Sequence, residues 1–350
     1  MITKVIDDNS ISVIPEESDD LLTLRRIIKP GDRIVGDTTR VIKREKEYAR
    51  PDRGEKVRIR IALEAEKISL DNVLDRLRIH GVIKESNNDS VPHGSHHSFL
   101  IKANEGFTFT KKKWSSIERK LLKSNNQRLG FLLVAIDTGD CGIARLKGTH
   151  LQIMPNIYSG SSGKRYKSNF NIQTFFEQVQ LALSSAVKED DMLIIFGPGE
   201  TKKRFGNFLQ KSKIGTKHKI QVVEGIDSGG EDGIYTFTKS EIMKEIMSDS
   251  KLAKVSSIID EIMLLAHKKS NKFTMGFDET EKANQFGAID SLVFSDKIIQ
   301  TEDEQKIIEF LNEVESKGVK AYSVDSTTDL GLRVTGLGGI VSLLRFPIQS

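Results

Sequence analysis

Cysteine is nearly absent: Cys141 is the only one in 350 residues. A single thiol excludes an intramolecular disulfide and points to a reducing compartment. No run approaches the roughly 18 apolar residues that a membrane span needs. The first residues contain no apolar signal-peptide core. These absences predict a soluble, cytoplasmic protein with no membrane association. Internal repeats and long low-complexity segments are missing as well. The formal charge of +4 is small, so the totals alone do not announce a nucleic-acid binder.

Apparent nucleotide motifs fail on inspection. In Gly160-Ser-Ser-Gly-Lys-Arg165 the glycines are too close together for a P-loop, and Arg165 stands where Ser or Thr would hold magnesium. Gly336-Leu-Gly-Gly339 starts like a dinucleotide fingerprint, but Val341 takes the third glycine position. His93, His96 and His97 suggest a metal, yet no cysteine or carboxylate lies at ligand spacing. On a strand, His96 and His97 would point to opposite faces. The carboxylates Glu64, Glu66 and Asp71, or Asp137 and Asp140, would serve a magnesium ion in phosphodiester hydrolysis, but acids are common throughout the chain.

What is present is clustered charge. Arg25, Arg26, Lys29, Arg33, Arg40, Lys43 and Arg44 crowd the N-terminal part, and a second basic zone runs from Lys202 to Lys219. Acids recover beyond residue 240, with Glu302, Asp303, Glu304, Glu309, Glu313 and Glu315 on one stretch. A basic front and an acidic rear suggest nucleic-acid contact at one end and protein contact at the other. Between them, Gly160-Ser-Ser-Gly-Lys-Arg-Tyr-Lys-Ser-Asn169 carries Lys164, Arg165 and Lys167 with no acidic neighbour. Its composition is that of a loop. With no general base, nucleophile or metal ligand, it is suited to touching phosphates or an acidic protein rather than to catalysis.

The element pattern divides the chain into three. The first part reads as short strands, with Val57-Arg-Ile-Arg-Ile-Ala-Leu63 alternating at period two, the turn Pro30-Gly-Asp32, and helices over 18–28 and 114–122. That spacing suggests a small curled barrel. The second part has buried strands at 131–137, 143–146, 151–155, 192–196 and 220–224, with a helix over 172–187. Its order argues for a mixed sheet flanked by helices. The third part reads as helices at 255–267, 280–287 and 302–317 and strands at 291–294, 319–324 and 339–347, a compact α/β sandwich. Polar stretches near 124–128 and 248–252 separate the domains 1–126, 127–249 and 250–350.

Several segments occur in a telling order. Ile28-Lys-Pro-Gly-Asp-Arg-Ile-Val-Gly-Asp-Thr-Thr-Arg40 resembles the "PGD-x-V…T-x-R" entry of the Pelota family of ribosome-rescue factors. Gly94-Ser-His-His-Ser-Phe-Leu-Ile101 is similar to that family's late N-domain strand. Gly197-Pro-Gly199 before a basic helix resembles its "GPGF-x-K" turn, with Glu200 replacing the usual Phe. The segment Gly331 to Ile348, closing in Leu344-Arg-Phe-Pro-Ile, is similar to its C-terminal strand. The resemblance covers essentially the whole chain, and the length looks archaeal.

This resemblance implies a multidomain β and α/β architecture. It has an N-terminal Sm-like β-barrel, a central α/β domain like that of class I termination factors, and a C-terminal α/β/α sandwich like kink-turn-binding ribosomal proteins. A termination factor presents Gly-Gly-Gln on the central-domain loop, where this chain has the basic Gly160–Asn169 segment and no Gln, so peptide release is not expected. No Asn-Ile-Lys-Ser stop-codon element is present either.

The implied function is codon-independent recognition of stalled ribosomes and promotion of subunit dissociation. The implied partners are the ribosome (its A site, rRNA and mRNA), a GTP-bound elongation-factor-one-alpha-type GTPase, and an ABC-type recycling ATPase. Arg33, Arg40, Lys43 and Arg44 would grip RNA through phosphates, and Lys164, Arg165 and Lys167 would meet the GTPase or rRNA. The acidic helix 302–317 offers a protein-binding surface. The chain is expected to act as a monomer, without intrinsic catalysis and with no cofactor required. The resemblance also carries a second reading, an endoribonuclease cutting the stalled mRNA, which would need a divalent metal cation. A third, a plain RNA-binding module, leaves two domains unexplained.

Overall fold

The computed structural model describes residues 1–42, 55–71, 74–124, 130–160, 171–188 and 191–348. In chain order the elements begin with β1 (Ile2–Val5), β2 (Ser10–Ile14), α1 (Ser18–Ile27), β3 (Arg33–Ile42), β4 (Glu55–Asp71), β5 (Arg76–Ser86), β6 (His96–Ile101), β7 (Phe107–Thr110) and α2 (Ser116–Ser124). There follow β8 (Gly130–Ile136), β9 (Asp140–Lys147), β10 (His150–Ile153), β11 (Ile157–Tyr158), α3 (Ile172–Ala186), β12 (Met192–Phe196), α4 (Thr201–Gln210), α5 (Lys213–Lys217), β13 (Ile220–Val222), α6 (Gly230–Thr238) and α7 (Glu241–Ile246). The last are α8 (Lys251–His267), β14 (Phe273–Met275), α9 (Phe277–Gln285), β15 (Ile289–Ser295), α10 (Ile298–Thr301), α11 (Glu304–Ser316), β16 (Lys320–Val324), α12 (Asp329–Gly336) and β17 (Ile340–Leu344). Contacts group the chain into two compact units, Met1–Gln127 with Asp296–Ala321, and Arg128–Ser295 with Tyr322–Ser350.

The first unit is built on a seven-stranded sheet in the order β1-β2-β7-β3-β4-β5-β6. Its pairings are antiparallel. Alternation decides the faces: Ile59, Ile61 and Leu63 of β4 point into the core, while Arg58 and Arg60 point out. Register shifts at Ala62/Leu63 and Ala65/Lys67 bend the long β4 against β5. The curl brings β6 back over the inner face of β3. There Thr38 Oγ1 and His97 Nε2 stand 2.9 Å apart, and Arg40 donates to Ser95 Oγ at 3.1 Å. Gly36 makes room for this approach, since a Cβ there would meet the Phe99 ring at 3.3 Å.

Helix α1 starts with a capping box in which Glu17 and Asp20 satisfy each other's backbone N–H groups. From Asp20 to Ile27 it is buried throughout, including Arg25 and Arg26. Both arginines meet α11 within this unit. Arg25 is paired with Glu304 and donates to Gln305 at 2.9 Å; Arg26 donates to Asn312 at 2.9 Å and to Glu315 at 2.8 Å. Glu304 also accepts from the Leu70 N–H at 3.0 Å. The acidic helix foreseen as a partner surface thus spends two of its carboxylates on buried arginines of its own chain.

The Pro30-Gly31-Asp32 turn is locked by charge. Gly31 has φ +89°, a left-handed value that favours glycine. Asp32 accepts from the Lys29 N–H at 2.8 Å and from buried Lys111 at 2.6 Å, and Lys111 also donates to the Ile27 carbonyl at 2.8 Å. Glu118 lies 3.6 Å from Lys111 and 3.0 Å from Lys29. Burial pushes the Glu118 carboxyl up, but the Ser115 N–H, Lys29 and Lys111 outweigh it and hold it below its ordinary range. Trp114, expected as the first helical residue, precedes α2 and packs beside Lys111 and Phe109.

In the second unit, the strand expected over 131–137 is β8, buried at all its residues. The sheet runs β10-β9-β8-β12-β13, with β11 pairing β9. Strand β12 is parallel to β8 and β13, while β9 is antiparallel to β8. Leu132, Val134 and Ile136 face a core shared with Phe175, Phe176 and Val179 of α3 and Phe205 of α4. Phe131, Leu133 and Ala135 face the other side, with Ile234 and Phe237 of α6 and Met243 of α7. Helix α3 begins where Asn171 accepts from the Gln173 N–H at 2.9 Å. Cys141 is fully buried, and burial first, then Asp140 and Asp137, push its thiol well above the usual range.

A four-stranded sheet, β14-β17-β15-β16, follows. The strand expected over 339–347 is β17, Ile340–Leu344, and the segment before it, to which the sequence assigned no element, forms helix α12 over Asp329–Gly336. Thr328 caps α12 by accepting from the Gly331 N–H at 3.2 Å, and burial of Leu330 and Val334 overrides the low helix propensity of the local glycines.

Candidate nucleic-acid interface

The expected RNA-contacting residues do not form one cluster. Arg33 and Arg40 sit on β3 seven positions apart, so they point to opposite faces about 23 Å from each other along the strand. Arg33 is exposed and paired with Glu85 at 2.6 Å. Arg40 is half-buried at the β3–β6 approach, held by Ser95. Lys43 and Arg44 lie outside the described residues, as do Lys164, Arg165 and Lys167 of the Gly160–Asn169 segment.

Next to Arg40, His97 is held below its ordinary pKa by burial first, then by Arg40 and His80. A cleft of about 590 Å³ opens here, lined by Thr38, Thr39, Arg58, His97 and Leu100 among others.

The outward cations of β4 emerge instead. Arg58 and Arg60 expose 81% and 61% of their side chains and share the single carboxylate of Asp37, at 3.2 and 3.8 Å. Lys56 continues this exposed row. Two guanidiniums on one acid leave net positive charge on a flat, solvated strand face, the arrangement that phosphate contact requires. A second patch lies at the Pro30-Gly-Asp32 turn, where exposed Lys29, Lys112 and Lys113 line an open hollow of about 400 Å³. Sequence reasoning passed over Arg58 and Arg60, although the period-two alternation around them already places them on the outer face.

The second basic zone divides likewise. Lys202 is buried and donates to the carbonyls of Gly197 and Gly199 at 2.8 and 2.9 Å, and pairs with Glu224 at 2.9 Å. It therefore braces the Gly-Pro-Gly turn. Lys203 is shared by Glu200 and Glu224 at 3.0 and 3.1 Å.

The carboxylates considered for a magnesium ion are engaged otherwise. Glu64 pairs with Lys84 at 3.2 Å and Asp71 with Arg78 at 2.7 Å. Asp137 accepts the Gly139 and Asp140 N–H groups, the latter at 2.9 Å, closing the β8–β9 turn. Burial, then Asp137 and Asp232, raise the Asp140 carboxyl. These residues do not assemble an oxygen-rich cage of the kind magnesium takes.

Two family models match the chain: the Pelota N-terminal domain over residues 2–126 and eRF1 domain 3 over residues 252–348. The second match makes the C-terminal part similar to a domain of the translation termination factor eRF1. A Protein pelota homolog of Nitrosopumilus maritimus is 73% identical over 350 residues, covering 100% of both chains. Another, from Cenarchaeum symbiosum, is 52% identical over 346 residues, covering 99% of both. The chain belongs to the Pelota family. Its fold is similar to the crystal structure of the Thermoplasma acidophilum Pelota protein, with a TM-score of 0.65 at 23% identity over 99% of this chain and 100% of that one. The expected architecture, an Sm-like N-terminal β-domain followed by central and C-terminal α/β domains, is the one found.

Proposed function

We propose that this chain recognises stalled ribosomes without reading a codon and promotes dissociation of their subunits. The observation that carries this reading is full-length membership of the Pelota family in a chain with no Gly-Gly-Gln and no stop-codon element. Such a chain can occupy a termination factor's place without hydrolysing the peptidyl ester. It enters the A site delivered by a GTP-bound elongation-factor-one-alpha-type GTPase, and an ABC-type ATPase then helps separate the subunits. It works as a cytoplasmic monomer and needs no cofactor for this role, because both nucleotides are consumed by its partners. Among the described residues, no helix is long and apolar enough to cross a membrane.

Three domains divide the work, at 1–126, 127–249 and 250–350, a division supported by the three separate sheets. The N-terminal domain holds RNA through phosphates. Arg33, Arg40, Lys43 and Arg44 contribute, and Arg58 and Arg60 join them by virtue of their exposure. Contacts to phosphate carry no sequence information, which suits indifference to the codon. Lys164, Arg165 and Lys167 of the central domain meet the GTPase on delivery or rRNA afterwards.

The test is a sucrose gradient of stalled ribosomes carrying end-labelled mRNA, with this chain, both partner enzymes, GTP and ATP. Subunits should separate with the mRNA intact, and Lys164→Ala with Arg165→Ala should slow the separation. Persistent monosomes with magnesium-dependent shortening of the mRNA would overturn the reading.

A further inference from the structure

The outer face of the N-terminal sheet gathers Glu66, His80 and His96 from three adjacent strands, β4, β5 and β6. One ligand atom from each lies within 4.8 Å of the other two. We propose that these three side chains form a binding site for a first-row divalent transition metal of the Zn²⁺ type, separate from any magnesium chemistry. The search for ligand spacing in the sequence missed it because the carboxylate comes from another strand.

Three features of the backbone build the site. Glu66 occupies the register shift between Ala65 and Lys67, where β4 carries one residue more than β5. Glu66 and Lys67 are both exposed there, so the bulge leaves two successive side chains on the face that His80 and His96 share. Gly81 lets β5 lie close beneath that bulge, since a Cβ there would stand 1.9 Å from the Glu64 carbonyl oxygen. Finally, His80 is opposite Ser98 while His96 is opposite Val82, so the two histidines are diagonal neighbours on one face.

The ligand atoms are within reach of a common ion. The two imidazoles stack at 5.4 Å between centroids with 9° between their planes, and because a ring nitrogen donates in its ring plane, the rings turn about χ2 to share a metal. His96 Nε2 stands 3.3 Å from Glu66 Oε2. His80 Nδ1 is engaged by Ser98 Oγ at 2.9 Å. That contact leaves Nε2 as the coordinating nitrogen and supplies the outer-shell partner that metal-bound histidines keep. Ligand atoms around a tetrahedral zinc stand about 3.4 Å apart, so binding draws the three side chains inward and turns the imidazoles out of their stack while the strands keep their places. Two imidazoles and one carboxylate favour zinc, cobalt, nickel or copper over magnesium or calcium. Three protein ligands leave a solvent-facing position for water or an anionic oxygen.

The test uses the full chain without an affinity tag, stripped by a chelator and titrated calorimetrically with Zn²⁺ and, for spectra, with Co²⁺. One ion per chain should bind, and the Co²⁺ form should show visible ligand-field bands without a sulfur charge-transfer band, because the one thiol is buried. His80→Ala and His96→Ala should each weaken binding by more than tenfold and Ser98→Ala by about tenfold. His267→Ala, at the end of α8, should change nothing. Glu66→Gln keeps shape and removes charge, so its loss of binding at an unchanged melting temperature of the metal-free chain separates ligation from folding. Absence of saturable binding, or binding that persists in the His80→Ala, His96→Ala double variant, would overturn the proposal.

Discussion

Arg25 and Arg26 on α1 each expose 7% of their surface, whereas Arg58 and Arg60 on β4 expose most of their side chains. In the sequence both are neighbouring cations of the same region. In the fold, the first pair is consumed by Glu304, Gln305, Asn312 and Glu315 of α11, and the second, among the described residues, shares Asp37 alone. The lesson is that a basic cluster becomes a nucleic-acid surface only where the fold withholds carboxylates from it. The deciding partner is more than two hundred residues away for α1 and on the adjoining strand for β4.

The sharpest way to break this contrast is at Lys111, the most deeply buried cation of the same unit. Lys111→Met keeps the stem, strands Asp32 without its buried counter-charge and leaves Glu118 only Lys29. Removing one partner of a buried pair costs about 3–5 kcal/mol, and denaturant unfolding should show a loss of that order. Next comes Arg26→Ala, which leaves Asn312 and Glu315 without their guanidinium. A loss of about 1–3 kcal/mol is expected, with faster hydrogen exchange in α11 as its local signature. If α11 exchanges as before, the buried arginines do not hold it.

Acid titration gives a smaller effect with a defined sign. His150, on β10, sits 2.6 Å from Asp325, and its hydrogen bond, against burial and with help from Thr327, brings the Asp325 carboxyl down to about 2. A depressed carboxyl stabilises the fold above its ordinary value of 3.8, and that contribution is lost as pH falls through about 2. Asp325→Asn should therefore flatten the stability profile between these values. Least of all should Arg58→Ala with Arg60→Ala disturb the fold. Its effect belongs to binding: the salt dependence of ribosome affinity should become shallower by about two in the log–log slope, near one for each phosphate contact removed. An unchanged slope would place the RNA contact elsewhere, the Lys29, Lys112 and Lys113 patch being next.

Much of the scaffold was legible because it rests on local pattern. The uninterrupted apolar run of β8, the helical spacing of Phe175, Phe176, Val179 and Leu183, and the alternation of β4 each name their element directly. The Pro30-Gly-Asp32 turn was legible as a turn, but its locking by Lys111 was not, since the partner arrives from β7's far end. Helix α12 was hidden by four glycines between 331 and 339, whose conformations are set by tertiary contact; Gly331 lies so close to Asp325 that a Cβ would stand 1.9 Å from its carbonyl. Of the interface, the cations could be counted but not sorted into paired and unsaturated. Glu66 illustrates the limit best, because the pairing of β4, β5 and β6 brings it to two histidines that the sequence keeps apart.

Cys141 sits in the core of the β9 strand with none of its surface exposed and a thiol held in its protonated form. For an experimenter the chain is therefore already silent toward maleimide dyes and spin labels. A single cysteine engineered at Val5, Leu181 or Phe286, all well exposed, can be tagged selectively without first removing the native one. Pairs of such tags would turn the movement of this factor during delivery and subunit separation into a distance read by energy transfer.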